Sequence, residues 1–454
     1  MSRRSRLPGY VSRAIVSGGG GGDPPPGGER DWGYIPIASA PTPMLLENQW
    51  IVIPNWYSNI TAYGSDNVVS PRNGQLAYVG DAKKTFLALA VFELWNGSTP
   101  VHSKVGLRVN GRNFKEYQGV SGSDPIFGGV YSEPWNAIYD HQTVHHGLMQ
   151  LTYNEYIDGV ASAVDVGLYQ AGLARLGMTL MELRGAHGVI QDLADSPMES
   201  GTVWIKIPGT TASYLLKGFS SSVDTRLTYT DTVTRRFRVD LAAALECGQA
   251  MTLGVYKNGT LVTGSDVGLG IYGIVYGNTL RTHCFVELAQ NDYVEGWWYH
   301  DGAGAFRYGM AFSAVELGDS HGLLYMTAQG SIPFSLGKLT PTTALSSISS
   351  DFSMPDNNKL QYTGATTKRF LISADVHAYD SSAAYVYYEL LLYKNGTALS
   401  PSTNSKGTSM QRRTPIYIQA VVELAQNDYI EVYGASGNSG SLAVGYVLSA
   451  AEFA

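Results

Sequence analysis

Three closely spaced histidines are the residues of this sequence whose type best suits metal binding. His141, His145 and His146 lie in the segment HQTVHH. His141 and His145 are four residues apart and therefore share one face of either a helix or a strand. On a strand, which this stretch is expected to join, they would lie too far apart to hold one ion. A polar loop or an interface explains them better, and no metal site is predicted.

Five carboxylates recur in three similar segments and are the groups that could perform acid–base chemistry. Asp158, Glu295 and Glu431 follow a tyrosine by two residues, and Asp292 and Asp428 directly precede one. A glycosidase needs two carboxylates on opposite sides of one cleft. These groups instead occupy equivalent positions in three copies of one pattern, so turn formation explains them better than catalysis.

Motifs of common enzyme families are missing from the sequence. There is no HExxH, no phosphate loop ending in GK[ST] and no C-x-x-C pair. Two cysteines in a chain of this length do not make a disulfide framework. Cys247 and Cys284 are therefore expected to be buried thiols, with a single pair as the alternative. The sequence predicts a protein that is not an enzyme and holds no cofactor.

The composition is that of an all-β protein with many turns. The chain has 454 residues, of which only 15% are charged, and it contains 52 glycines and 30 tyrosines. Glycine favours turns and tyrosine favours strands. The net charge of −7 disfavours a nucleic-acid partner. No apolar run reaches the roughly 18 residues of a membrane span.

Residues 1–43 are predicted to form an extended arm. They contain five consecutive glycines and the segment DPPPGG. Glycines make a chain flexible and consecutive prolines stiffen it, so no core forms here. The arm is expected to anchor the protein to other proteins of a particle, with a solvated tail as the alternative. The basic residues proposed for anchoring are Arg3, Arg4, Arg6 and Arg13. The arm has no apolar signal core, so synthesis in a cytoplasm is expected.

The rest of the chain repeats one set of sequence blocks three times. The opening blocks are WIVIP at Trp50–Pro54, WIKIP at Trp204–Pro208 and the weaker GSIPF at Gly330–Phe334. In the second block a tyrosine precedes a phenylalanine by eight residues, and basic residues precede each phenylalanine: Tyr78 and Phe86, Tyr229 and Phe237, Tyr362 and Phe370. Tyr156, Tyr293 and Tyr429 of a later block are separated by 137 and 136 residues. Such periodicity predicts three homologous domains, at 44–185, 198–318 and 326–454.

Turn residues separate the strands that these blocks predict. Asn-Gly between apolar runs favours a two-residue hairpin, because both residues tolerate a positive φ. Aspartate in the AQND segments favours a turn through hydrogen bonds to its own backbone. The structural turn residues are Asn258, Gly259, Asp292, Asn395, Gly396 and Asp428. RFRVDL and RFLISADVHA alternate apolar and polar residues, as half-buried strands do. The sequence therefore predicts three tandem antiparallel β-sandwiches.

The order of these blocks resembles the globular head of the complement q subunit and the tumour-necrosis-factor superfamily. The segments that carry the resemblance are TKRFLISADV, LLYKNGT, VVELAQNDYIEVY and GYVLSAAEF, together with AFSAVEL at Ala311–Leu317. The second and third copies match throughout, whereas the first carries an insertion around Glu116–Gln142. The resemblance implies a ten-strand jelly roll that assembles as a trimer. Some members of this family bind calcium, so a bound calcium ion stays an open alternative.

Two strands with bulky residues on both faces point to self-association. They are TFLALAVFELW at Thr85–Trp95 and YVYYELLLY at Tyr385–Tyr393. One face fills the core and the other needs a partner, because large exposed apolar patches are rare. A strand covered on both sides within one domain is the alternative. The residues proposed for a homotrimer interface are Phe86, Trp95, Tyr385, Tyr387 and Tyr388.

These features together predict a structural protein of a tailed-bacteriophage virion, such as a tail fibre, spike, tail-tip component or head decoration. The arm would dock on the particle, and a trimeric projection would serve host attachment. Ser402–Arg413 and Gly434–Gly440 are the loops expected to contact a host glycan or protein. The alternatives are a surface carbohydrate- or protein-binding module and a glycan-degrading fibre. Trp297, Trp298 and Tyr299 could form a sugar platform for such a module, but strand packing or a trimer core explains them better.

Overall fold

The computed structural model describes twenty segments of the chain. They are 30–35, 42–43, 51–52, 63–70, 75–96, 103–110, 139–163, 173–192, 196–197, 203–207, 212–221, 225–247, 251–269, 275–300, 306–356, 358–380, 386–399, 405–409, 413–438 and 440–453. Asp31–Ala454 forms one compact unit. Every regular element in the described segments is a β-strand, and the strands pair antiparallel, which confirms the all-β prediction.

The strands fall into three repeats along the chain. The first repeat contains β1 (Trp32–Ile35), β2 (Thr42–Pro43), β3 (Ile51–Val52), β4 (Tyr63–Gly64), β5 (Val68–Val69), β6 (Gln75–Tyr78), β7 (Lys84–Asn96), β8 (Ser103–Val109), β9 (Tyr139–Leu151), β10 (Glu155–Ala163) and β11 (Leu173–Leu183). The second contains β12 (His187–Asp192), β13 (Ser196–Pro197), β14 (Ile205–Lys206), β15 (Ala212–Lys217), β16 (Phe219–Ser221), β17 (Arg226–Tyr229), β18 (Arg235–Cys247), β19 (Met251–Lys257), β20 (Thr260–Leu261), β21 (Val267–Leu269), β22 (Val275–Leu288), β23 (Tyr293–His300) and the first half of β24 (Phe306–Ala328). The third contains the second half of β24 and then β25 (Gly330–Ser331), β26 (Gly337–Lys338), β27 (Thr342–Ile348), β28 (Phe352–Ser353), β29 (Lys359–Tyr362), β30 (Lys368–Tyr379), β31 (Val386–Lys394), β32 (Thr397–Ala398), β33 (Ser405–Ser409), β34 (Arg413–Leu424), β35 (Tyr429–Ser436) and β36 (Leu442–Phe453).

Each repeat has an inner and an outer sheet with the same strand order. The inner sheets run β4-β1-β11-β7-β9, β15-β12-β24-β18-β22 and β27-β24-β36-β30-β34. The outer sheets are built around β10, β23 and β35, which pair with β6 and β8, with β17 and β19, and with β29 and β31. Side chains alternate between the two faces of each strand, so the long strands of both sheets contribute residues to the sandwich cores.

Strand β24 belongs to two repeats at once. Residues 306–316 pair with β18, whereas Leu317 and residues 321–325 pair with β36. The segments 186–197 and 319–325, which the predicted domain boundaries leave as linkers, thus contain β12, β13 and part of β24. Trp32–Ile35, placed in the predicted arm, forms β1 and pairs with β11. The repeats are therefore joined by strands and not by loose linkers.

The repeated tyrosine–phenylalanine pairs meet in the sandwich cores. An aromatic ring on the sixth strand of the first repeat, or its equivalent, packs edge-on against the ring on the long strand that follows. Ring centroids are 5.1 Å apart for Tyr78–Phe86, 5.0 Å for Tyr229–Phe237 and 5.1 Å for Tyr362–Phe370. The fixed spacing of eight residues is thus a consequence of packing.

A glutamate near the end of each repeat closes its inner sheet. It accepts a hydrogen bond from a backbone N–H where the first strand of the repeat begins, and it forms an ion pair with the basic residue that precedes the repeated phenylalanine. The three sets are Glu182 with Asp31 and Lys84, Glu316 with Ala186 and Arg235, and Glu452 with Ser320 and Lys368. This contact explains why basic residues recur at that position.

The structure corrects one sequence alignment between the repeats. GSIPF was matched to WIKIP, but the strand register matches Leu336–Leu339 instead. Lys206 pairs with Trp297 and Lys338 pairs with Tyr433, at equivalent positions of β23 and β35. Both lysines also form an ion pair with a buried glutamate, at 2.8 Å in each repeat. The third copy has Leu336 at the position of Trp204, so the sequence pattern alone assigned the wrong segment to the opening block.

Candidate functional site at the junction of the three repeats

The three inner sheets pack against one another around a shared apolar core, here named the junction core. Leu87, Leu89 and Leu148 come from the first repeat, Val189, Phe285 and Val315 from the second, and Leu323, Leu371 and Val447 from the third. All are buried, with at most 3% of the side chain exposed. One chain therefore builds an arrangement in which three like sandwiches face a common centre.

Alternate residues of the long inner strands serve two cores. Phe237 and Phe370 point into their own sandwiches. The next residue of β30, Leu371, lies in the junction core, and the equivalent residue of β18 is Arg238. The polar face of RFRVDL was predicted to be exposed, but Arg238 and Asp240 are both 0% exposed. A sister repeat covers that face.

A cluster of buried charges joins the second and third repeats at this junction. Arg238 donates to both carboxylate oxygens of Asp240, at 2.8 and 3.0 Å, and Arg281 donates to the same group at 2.7 Å. Arg281 also lies 3.5 Å from Asp375 of the third repeat. The Arg238 guanidinium reaches Ser373 at 3.2 Å. Buried charges need such pairing, because an unpaired one is strongly destabilising.

The two arginines of this cluster keep both aspartates ionised, so positive and negative charges are equal in number. Burial raises the pKa of Asp240, but Arg238 and Arg281 outweigh it and hold the pKa well below its usual range. Burial also raises the pKa of Asp375, and His283 and Arg281 reverse that shift. Burial and the charge of Arg238 lower the pKa of His283. At neutral pH two arginines therefore balance two aspartates, and the histidine is neutral.

Asp375, His283 and Ser449 are connected in the order of a serine-hydrolase triad. His283 Nδ1 lies 2.8 Å from Asp375 Oδ2, and His283 Nε2 lies 2.8 Å from Ser449 Oγ. A triad acts only where a substrate reaches the serine. The three side chains are 1%, 0% and 0% exposed, inside the junction. Their hydrogen bonds hold the second and third repeats together, and their burial leaves a substrate no access to the serine.

Among the described residues, the first repeat also makes polar and aromatic contacts at the junction. Gln419 of the third repeat donates to Thr179 Oγ1 at 3.2 Å, and Tyr417 packs against Val91. His146 on β9 is fully buried, and neither ring nitrogen has a hydrogen-bond partner among the described residues. Burial lowers the pKa of His146 to about 4, with Arg281 and Arg238 acting in the same direction and Asp240 against them. At neutral pH the imidazole of His146 is therefore uncharged in the junction.

The predicted turn residues form one hydrogen-bonded unit in the second and third repeats. Asn258 and Asn395 have φ of 51° and 52°, and the glycines that follow have φ of 79° and 74°. Asn258 donates to Asp292 at 2.7 Å, and Asn395 donates to Asp428 at 2.6 Å. Burial raises the pKa of Asp428, but hydrogen bonds from Lys394, Asn395 and the Ala425 backbone lower it overall. Both aspartates thus serve a turn.

The three carboxylates that follow the repeated tyrosines are buried on the outer sheets. Glu295 pairs with Lys206 at 2.8 Å and Arg226 at 2.7 Å, and Glu431 pairs with Lys338. Asp158 lies 3.5 Å from Arg108, and burial raises its pKa to about 6 against the charge of Arg108. Each lies in a different repeat, so no two of them share a cleft.

Two of the residues proposed for a homotrimer interface lie in the interior of the chain. Phe86 and Tyr388 are 0% exposed, and Tyr388 belongs to the core of the third sandwich. Packing within the chain accounts for them without a partner. Trp95 and Tyr387 lie on β7 and β31, but their side chains, like all of Tyr385, are outside the described residues. The second face of β7 is covered within the chain, where Leu87 and Leu89 lie in the junction core. Strand β31 belongs to an outer sheet, and Leu391 and Tyr393 on its second face are partly exposed.

Other predicted residues are placed as follows. His141 and His145 lie on β9 with side chains outside the described residues, and Arg3, Arg4, Arg6 and Arg13 are also outside them. Cys284 is a buried free thiol. The loop predicted at Ser402–Arg413 contains β33, and Gly434–Ser436 of the other predicted loop belongs to β35. Pairing of β33 with β31 makes the first of these a sheet edge.

Two comparisons with known proteins found no match for this chain. No protein-family model matches the sequence, and a search of the curated proteins finds no similar chain. Within the described segments, no group of three or more His, Cys, Asp or Glu side chains is placed to hold a metal. The same segments contain no helix with the length and hydropathy of a membrane span.

The buried charge cluster is the part of the site that sequence reasoning missed. Its members are Arg238, Asp240, Arg281, His283 and Asp375. Charged residues inside strands rich in apolar residues were the available signal. The alternation in RFRVDL was interpreted as a strand with one buried face and one solvent-exposed face. Periodicity does not distinguish a solvent-exposed polar face from a polar face buried in an interface.

Proposed function

We propose that this protein is a non-enzymatic structural component of a tailed-bacteriophage virion, with residues 1–30 docking on the particle and Asp31–Ala454 projecting for host attachment. One chain would form the threefold body that three chains form in the trimeric family it resembles. The proposed docking segment is shorter than the arm of residues 1–43 expected from sequence, because β1 belongs to the body.

The junction core is the observation that carries this proposal. A body whose three sandwiches share one core is rigid, and rigid scaffolds present recognition surfaces well. The buried polar cluster lacks access for a substrate, which fits a binding or structural role better than catalysis. The sequence supplies the rest of the support, through its arginine-rich start and the resemblance to a trimeric jelly-roll family.

A truncation tests the docking role. A variant lacking residues 1–30 should fold normally, because the compact unit begins at Asp31. It should be missing from particles grown with the variant gene, whereas the full chain is present. Mass spectrometry of purified particles measures both, and far-UV circular dichroism of the isolated variant checks its strands. Normal incorporation of the truncated chain would refute the docking role.

The surface-module alternative predicts a different outcome. A carbohydrate- or protein-binding module of a cell surface would be found with the cell envelope, and purified particles would contain no peptide of the full chain. That result would exclude the virion role itself, whatever the truncation does.

A further inference from the structure

Four aromatic side chains lie together on the outer sheet of the second repeat. This aromatic patch consists of Trp204, Tyr256, Trp297 and Tyr299, each partly exposed. The Tyr256 and Trp297 rings stack with centroids 4.6 Å apart, and Trp204 lies 5.8 Å from Tyr256 and 6.0 Å from Tyr299. Trp298, which the sugar-platform alternative included, is 0% exposed because side chains alternate along β23.

The fold alone does not require all four aromatic residues. The third repeat keeps the stacked pair as Tyr393 and Tyr433, with centroids 3.8 Å apart, but Leu336 and Ala435 stand at the positions equivalent to Trp204 and Tyr299. In the first repeat the equivalents of Tyr256 and Trp297 are Arg108 and Val160. Three sandwiches with the same strand order thus tolerate different residues here, and only the second repeat carries the full aromatic patch.

Gly254 leaves room for the rings at the middle of the patch. A Cβ at this position would lie 2.9 Å from the Leu261 side chain and 3.0 Å from the edge of the Trp204 ring, so the indole edge packs close to Gly254. A tryptophan packed against a sheet is a rigid contact surface that loses little entropy on binding. The patch is therefore preformed.

Polar groups at the edge of the patch suggest what it binds. Glu295 accepts from the Trp297 indole N–H at 3.4 Å and pairs with Lys206 and Arg226. Burial raises the pKa of Tyr256, and the charge of Asp266 raises it further, so a second carboxylate lies near the patch. A nearly neutral aromatic surface with polar edges fits an uncharged ligand that has apolar faces and hydroxyl edges.

The size of the patch also limits the ligand. Four side chains are far fewer than the roughly 20–30 residues that each partner of a stable protein interface contributes. A pyranose ring has the matching size, with C–H faces for stacking and hydroxyls for the carboxylate and ammonium groups.

We propose that the aromatic patch is a binding subsite for a neutral saccharide, present once per chain. The inference rests on the proposed attachment role and gives that role a location and a ligand class. A trimer of identical chains would display every surface residue three times, whereas the joined repeats allow one of them to specialise.

Saturation-transfer NMR on the full chain tests the subsite. Chitotetraose, maltotetraose and cellotetraose are added separately at millimolar concentration, and saturation should reach the ring protons of at least one of them. Trp297→Ala and Tyr299→Ala should each weaken that binding roughly tenfold, as for aromatic residues at a binding hot spot. Tyr433→Ala, the matched change in the third repeat, should leave it unchanged.

Three results would overturn the subsite. They are no saturation transfer to any of the three oligosaccharides, unchanged binding in both patch variants, or an equal loss in Tyr433→Ala. Melting temperatures establish that the variants are folded. Failure here with normal particle incorporation of the full chain would remove the saccharide subsite and leave the virion role standing.

Discussion

Single residues at equivalent positions have taken different roles in the three repeats. Leu87, Arg238 and Leu371 each follow the repeated phenylalanine, and the two leucines lie in the junction core. The arginine is tolerated there because Asp240 lies two residues further on and binds it through both oxygens. A charged residue at a junction position is thus acceptable only when its partner is supplied nearby.

Acid should weaken the junction through His146. Its pKa is about 4 in the folded chain, compared with about 6.5 in the unfolded chain, so the unfolded state binds more protons between these values. Stability from this residue is complete above pH 6.5 and falls as the pH drops toward 4, by ~3 kcal/mol at most. His283 contributes in the same direction.

Replacing the histidine isolates its share. His146→Phe should flatten the decrease in the free energy of unfolding between pH 7 and pH 5, because phenylalanine does not titrate. Urea denaturation of the wild type and the variant at both pH values measures the difference. The same pH dependence in both proteins would show that folding does not lower the pKa of His146.

At the element scale, long strands covered on both faces define this molecule. The sequence predicted the strands and the Asn-Gly turns well, because apolar alternation and positive φ are local properties. It did not predict what covers the second face of β18 or β30. That depends on contacts between residues such as Arg281 and Asp375, which are 94 positions apart.

The shared strand β24 should make the second and third repeats unfold together. Tyr325 pairs with Ala344 of β27 and with Val447 of β36, so Tyr325→Pro removes an N–H within the paired strands. A loss of about 2 kcal/mol or more is expected. Scanning calorimetry should show one transition for both repeats, shifted downward.

Tyr325→Ala is the matched control, since it removes the ring and keeps the backbone N–H. Its shift should be smaller than that of the proline variant. Two separate transitions, with only that of the third repeat shifted by the proline substitution, would contradict the coupling of the repeats through β24.

At the scale of the whole molecule, three repeats of one chain pack around a common core. The sequence indicated faces that need a partner, and the family resemblance suggested sister chains as that partner. In the structure the faces of the inner sheets are covered by another repeat of the same chain, through the junction core and the buried charges. Residue types alone carry no information on whether a covering surface lies in the same chain.

The molar mass of the full chain in solution tests this account most directly. Light scattering coupled to size-exclusion chromatography should give a single compact species near the 49.0 kDa of one chain. A mass three times as large, persisting on dilution, would mean that the faces around the junction are sealed by other chains and would contradict the single-chain body.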